Sequence, residues 1–158
     1  MDALLNSIAE GWSWKLGEPV EVVATNVFGN AIVKNKAGHY FRIMPEEWSC
    51  ELIVGSAAEL EKKRRSAEFT LDWEMKPIVA VAEKAHGPVA DGQVYYLVVP
   101  GVLGGTYTEE NIRKISLHEV LAYCGDMARQ INDVPDGESV VIVPTEKEPK
   151  HPRGSTLT

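Results

Sequence analysis

The sequence predicts an α+β fold: an antiparallel β-meander in the N-terminal half with several helices packed against the sheet, in a single domain. Three observations carry this. Short runs rich in β-branched and aromatic side chains recur between residues 20 and 54, separated by Phe28-Gly29-Asn30, Lys36-Ala37-Gly38-His39 and Pro45-Glu46-Glu47-Trp48. Leu117, Val120, Leu121, Cys124, Met127, Ala128 and Ile131 then repeat at spacings of three and four, the period of a helix buried on one face. The chain has 158 residues, 44 % hydrophobic and 25 % charged, which is one domain's length with enough apolar material for a core.

The elements follow in order. Leu4, Leu5 and Ile8 share a face, which predicts a short amphipathic helix ending at Gly11. Trp12 and Trp14, two apart, point to opposite sides if their segment is extended, so both are not expected in the core. Strands are expected at 20–25, 31–35, 40–44 and 50–54. Ser56 with Glu59 three residues on has the capping-box spacing and opens a helix that runs into Lys62-Lys63-Arg64-Arg65, a solvated basic face. Residues 69–75 either continue that helix or begin a loop. Pro77 suits the first position of a helix over 78–86, and Gly87-Pro88 stops it.

Residues 93–99 read as an apolar strand, 101–105 as a glycine-rich corner, and 111–115 as a short strand. Ser116 and Glu119 cap the helix 117–131. Gly125 inside it costs about 1 kcal/mol against Ala, a cost that a close helix contact would justify. Pro135-Asp136-Gly137 turns the chain into a last strand at 138–143. The domain is expected to span 1–143, with 144–158 a flexible C-terminal tail.

Composition excludes several classes of function. Lys plus Arg is 16 against 23 for Asp plus Glu, a net charge of −7. Phosphate backbones and anionic membranes repel such a chain, whereas a basic protein attracts it. The N-terminus lacks a basic region and a long apolar core, so no signal peptide is expected, and no apolar run reaches the ~18 residues of a membrane span. The expected location is the cytoplasm.

Cys50 and Cys124 form no CxxC pair, and His39, His86, His118 and His151 have no metal-ligand spacing. The glycine-rich corner lacks the Gly-Lys-Ser/Thr of a phosphate loop, and no GxSxG elbow is present. Glu148-Pro149-Lys150 mimics the E-x-K pair of metal-dependent nucleases, but proline breaks the strand that such a pair needs. No catalytic residue, metal or cofactor is expected, and the chain is expected not to be an enzyme.

What remains is surface. Acidic side chains group at Glu46, Glu47 and Glu51, around Trp73 at Glu68, Asp72 and Glu74, and after Tyr107 at Glu109-Glu110. Each carboxylate alone reads most simply as solvated. Together they read as a recognition surface for a basic partner, where charge speeds encounter and aromatics anchor the contact.

Several blocks carry a resemblance: Val27-Phe28-Gly29-Asn30, Gly38-His39-Tyr40-Phe41-Arg42-Ile43, Pro45-Glu46-Glu47, and Asp72-Trp73-Glu74. Val102-Leu103-Gly104-Gly105-Thr106-Tyr107 with Asn111, Gly125-Asp126-Met127-Ala128-Arg129-Gln130-Ile131 and Val134-Pro135-Asp136-Gly137 complete the set. In this order, over residues 12–143, they resemble a bacterial family once filed as a domain of unknown function. That family is now named for immunity proteins against type VI secretion DNase toxins. The resemblance implies a non-enzymatic α+β protein that binds a cognate toxin domain, a basic nuclease, and blocks or distorts its active site. The alternative is a general interaction module or adaptor. On charge and expected exposure, the candidate toxin contacts are Glu46, Glu47, Asp72, Glu74, Tyr107, Glu109 and Glu110.

Overall fold

The computed structural model describes residues 2–132. The expected turn at 135–137, the strand 138–143, the tail 144–158 with its E-x-K mimic, and His151 lie outside the described residues.

Four strands, β1 (Pro19–Thr25), β2 (Ala31–Asn35), β3 (Tyr40–Met44) and β4 (Ser49–Val54), form an antiparallel meander in that order. The register pairs Ala31 with Ile43, Ile32 with Arg42 and Val33 with Phe41. Side chains alternate across a strand, so Ala31, Val33 and Ile43 share one face while Ile32, Tyr40 and Arg42 share the other. The first face packs on Ile8, Trp12, Leu16, Leu121 and Cys124 from two helices, α1 (Ala3–Leu16) and α5 (Leu117–Ile131). The second packs on Leu60 of α2 (Ala57–Arg64) and Phe69 of α3 (Ala67–Glu74). Ile32 and Ile43 are both fully buried, each worth roughly 1.5–3 kcal/mol against exposure.

Helix α1 does not end at Gly11; it runs on to Leu16 and stops at Gly17. Gly11 lies against α5, where an added Cβ would come within 2.6 Å of the Leu121 carbonyl oxygen. An added Cβ on Gly125 would overlap the Gly11 carbonyl itself. The two backbones touch, and this is the close helix contact that the glycine in α5 signals. Continuing the helix puts Trp12 in the core at 1 % exposure, so the extended reading of Trp12-Ser13-Trp14 is corrected. Trp14 stays half-buried and donates its indole N–H to the carbonyls of Gly11 (2.8 Å) and Gly125 (3.2 Å). It stacks on Trp12 with ring centroids 5.9 Å apart.

Ser56 caps α2 as its spacing requires, its Oγ accepting from the Glu59 N–H, while Glu59 Oε1 reaches one residue further back to accept from the Gly55 N–H. Residues 69–74 belong to the separate helix α3, started by Ser66, whose Oγ accepts from the Phe69 N–H, and Met75 caps its end. Helix α4 (Lys76–His86) follows through Met75 in the left-handed region.

Strands β5 (Gln93–Leu97) and β6 (Ile112–Ser116) pair antiparallel as a second, two-stranded sheet. Their core of Tyr95, Leu97 and Ile112 gathers Ala82 from α4 and Phe28 from the first turn of the meander. The Tyr95 N–H donates to the Val27 carbonyl at 2.8 Å, which ties the two sheets together. Strand β5 ends two residues before the expected 99, because Val98 and Val99 leave the ladder to enter the corner at 100–105.

Candidate protein-recognition site

The turn Pro45–Glu47 is a single 3-10 turn between β3 and β4, packed against α5, β5 and the turn Gly101–Leu103. That packing carries Glu46 inward. It is 1 % exposed, so its expected place on an acidic surface is corrected. The tight turn after Pro45 points consecutive side chains in different directions, and the packing of α5 and β5 on the turn makes Glu46 the inner one. Asn30, also buried, donates Nδ2–H to Glu46 Oε1 at 2.8 Å, and Arg42 donates Nε–H to Asn30 Oδ1 at 2.9 Å. Burial pushes the Glu46 carboxyl up to about 7, against the opposing pull of its backbone hydrogen bond, of Asn30 and of Arg42.

Arg42 reaches outward as well. Its guanidinium pairs with Asp72 and lies 5.1 Å from the centroid of the Trp73 ring and 6.0 Å from that of Phe69. The guanidinium is thereby held between an aromatic wall and a carboxylate, the arrangement for which arginine suits better than lysine. Asn26 fixes the same region by donating to the Trp73 carbonyl, while its Oδ1 accepts from the N–H groups of Phe28 and Asn30.

A second set holds the corner between β5 and β6. The Asn111 side chain accepts from the Val99 N–H (2.8 Å) and donates to the carbonyls of Val99 and Thr106 (both 2.9 Å). The Gly104 and Gly105 N–H groups donate back to Gly101 and Pro100. Gly104 turns the chain at φ +91°, a conformation that side chains disfavour. From below, Tyr107 donates its hydroxyl to Glu47 Oε2 at 3.0 Å, and that carboxylate lies where a Cβ on Gly101 would stand. Burial, then the neighbouring Glu46 and Glu47 charges, push the Tyr107 phenol well above its ordinary range, which keeps it a donor.

Of the seven candidate contacts, the structure joins Glu46, Glu47, Asp72 and Tyr107 through these two networks. Glu47 and Tyr107 are half-buried, while Asp72, Glu74, Glu109 and Glu110 are exposed. Glu74 pairs locally with Lys76 at 3.4 Å. Glu109 and Glu110 open the turn Glu109–Asn111 beside the corner. Counting acids singled out neither Asn30, Arg42 and Asn111 nor the exposed apolar side chains Val98, Val99, Val102 and Leu103. A signal was present for Val102 and Leu103, which stand between Gly101 and Gly104 outside any periodic pattern, whereas Val98 and Val99 read as the end of the expected strand.

Cys50 and Cys124 are buried free thiols, and burial raises both, Cys50 to about 12. Among the described residues no three His, Cys, Asp or Glu side chains gather as a metal-ligand set. No helix among them is long and apolar enough to cross a membrane.

Comparison with known proteins adds one family match. Residues 56–128 match the family described as T6SS immunity protein Tdi1, C-terminal. The chain resembles the type VI secretion immunity proteins. The matched stretch runs from α2 into α5 and includes Asp72, Trp73, the glycine corner, Tyr107 and the Asn111 clamp, whereas Asn30, Arg42, Glu46 and Glu47 precede it. No curated protein matches the chain. Among solved structures, the crystal structure of Atu4351 from Agrobacterium tumefaciens is similar with a TM-score of 0.51 and 16 % identity, covering 78 % of this chain. This chain covers 62 % of that structure's length. At such identity the likeness is one of fold.

Proposed function

We propose that this chain is an immunity protein that binds and neutralises a cognate type VI secretion toxin. The match of residues 56–128 to the C-terminal part of an immunity protein carries the reading. The net charge of −7 and the exposed Asp72, Glu74, Glu109 and Glu110 support a basic partner, as a DNase domain that must attract phosphate would be. The inhibitor acts by occupying the toxin and blocking or distorting its active site, without turning over a substrate. Acting in the cytoplasm, it meets the toxin where DNA is cleaved. Steering by opposite charge speeds capture, which matters when few toxin molecules suffice to kill.

The test is co-expression with the toxin domain encoded beside the gene for this chain. Growth should be restored by this chain and by no unrelated acidic protein of similar size, and the host DNA should remain intact. Growth arrest despite a soluble, folded chain would refute the immunity reading. Rescue with DNA intact but without a stable complex would contradict inhibition by occupancy.

A further inference from the structure

Ten large hydrophobic side chains are exposed among the described residues, and four of them, Val98, Val99, Val102 and Leu103, fall within six consecutive positions. Single exposed apolar residues are ordinary; a cluster on one corner marks an interaction surface. The corner is held in place from within. Asn111 clamps both of its ends, the 3-10 turn Gly101–Leu103 closes on Pro100, and Glu47 with Tyr107 supports Gly101 from below. Gly105 leaves no room for a side chain, since an added Cβ would overlap the Val99 carbonyl. An apolar corner fixed in this way has already lost the freedom that binding would otherwise take from it. Glu109 and Glu110 stand exposed beside it, in the same connection between β5 and β6.

We propose that the 98–105 corner is the central anchor of the toxin contact, with Val102 and Leu103 seated in an apolar depression on a basic toxin domain. Glu109 and Glu110 meet the positive rim around that depression. This rests on the immunity reading and names the surface that serves it. Charge complementarity selects the occupant: the acidic rim and the net charge of −7 favour a basic protein over an anionic membrane or a second acidic copy of this chain. Apolar anchors ringed by polar groups carry most of the energy at such contacts, and rim charges chiefly set the rate of encounter.

The experiment measures binding of the full chain to the toxin domain encoded beside it, purified with its catalytic residue substituted, at low and at physiological salt. The V102D/L103D variant should bind at least about 30-fold more weakly. The control L52D, altered at an exposed leucine on β4, should stay within about threefold, the scale of a change outside the contact. Thermal melts should show both variants folded, because all three side chains are exposed and none belongs to the buried core. The E109K/E110K variant should associate about tenfold more slowly at low salt and lose most of its salt dependence. Tight binding by the parent chain with V102D/L103D unchanged would overturn the anchor and leave the immunity reading standing. Absence of binding by the parent chain would bring down that reading itself. Sedimentation with anionic phospholipid vesicles, or a dimer of the parent chain, would overturn the proposed occupant if V102D/L103D abolished it.

Discussion

The α1–α5 crossing and the 98–105 corner both depend on glycine, to opposite ends. At the crossing, Gly11 and Gly125 remove side chains so that two helix backbones touch, and the large neighbours Trp12, Leu121 and Met127 disappear into the core. At the corner, Gly101, Gly104 and Gly105 remove side chains so that a short loop folds on itself, and the apolar neighbours Val102 and Leu103 are turned out to solvent. One device hides hydrophobic surface and the other displays it. The same residue type therefore says nothing about role until its neighbours are placed.

This contrast breaks most visibly at the crossing. Gly125→Ala would force the Gly11 carbonyl and α1 to move, which should cost about 3 kcal/mol. The expected fall in melting temperature is roughly 6–12 °C for a chain of this size. An unchanged melting curve would show that the helices do not touch as described.

The buried carboxyl on the turn that packs against α5 and the corner gives the next largest effect. Glu46 carries a folded-state value of about 7 against an ordinary 4.5. Between those values the folded protein holds a proton that the unfolded chain releases, so stability falls as pH rises from about 4.5 to about 7 and levels off above. That share is on the order of 3 kcal/mol. Glu46→Gln should flatten the profile over this window and raise stability relative to the parent at pH 8, measured by urea unfolding. A parallel pair of profiles would remove Glu46 from the account.

Gly105→Ala sharpens the comparison with the smallest effect on stability, about 1–2 kcal/mol, because only the corner must adjust. Its effect on toxin binding should nonetheless exceed that of Gly125→Ala under conditions where both variants are folded. The reverse ranking, measured by calorimetric titration, would mean that the corner plays no part in recognition.

Periodic burial is what made most of the fold legible. The strands at Ala31–Asn35 and Tyr40–Met44 and the helix Leu117–Ile131 coincide with the expected bounds, because alternation or a three-and-four spacing coincides with the turn or cap that ends each. Gly125 announced a helix contact for the same reason: a costly residue in a good helix needs a neighbour. Gly11 misled because glycine reads locally as a stop, while its reason for staying helical lies more than a hundred residues away on α5. The site was legible as an inventory of acids and not as an arrangement. Nothing in Pro45-Glu46-Glu47 tells which glutamate turns inward; that is decided by α5 and β5 closing over the turn. Arg42 looked like an ordinary strand residue until α3 brought Asp72 and Trp73 to it.

The claim beneath all of this is that the protein works by occupying another protein. Titrating the active toxin domain with increasing amounts of this chain, and following DNA cleavage, tests it most directly. The account predicts a linear loss of activity ending at equimolar protein, with the V102D/L103D variant requiring a large excess. Full cleavage at any excess of the folded parent chain, or inhibition at amounts far below equimolar as a catalyst would give, would contradict it.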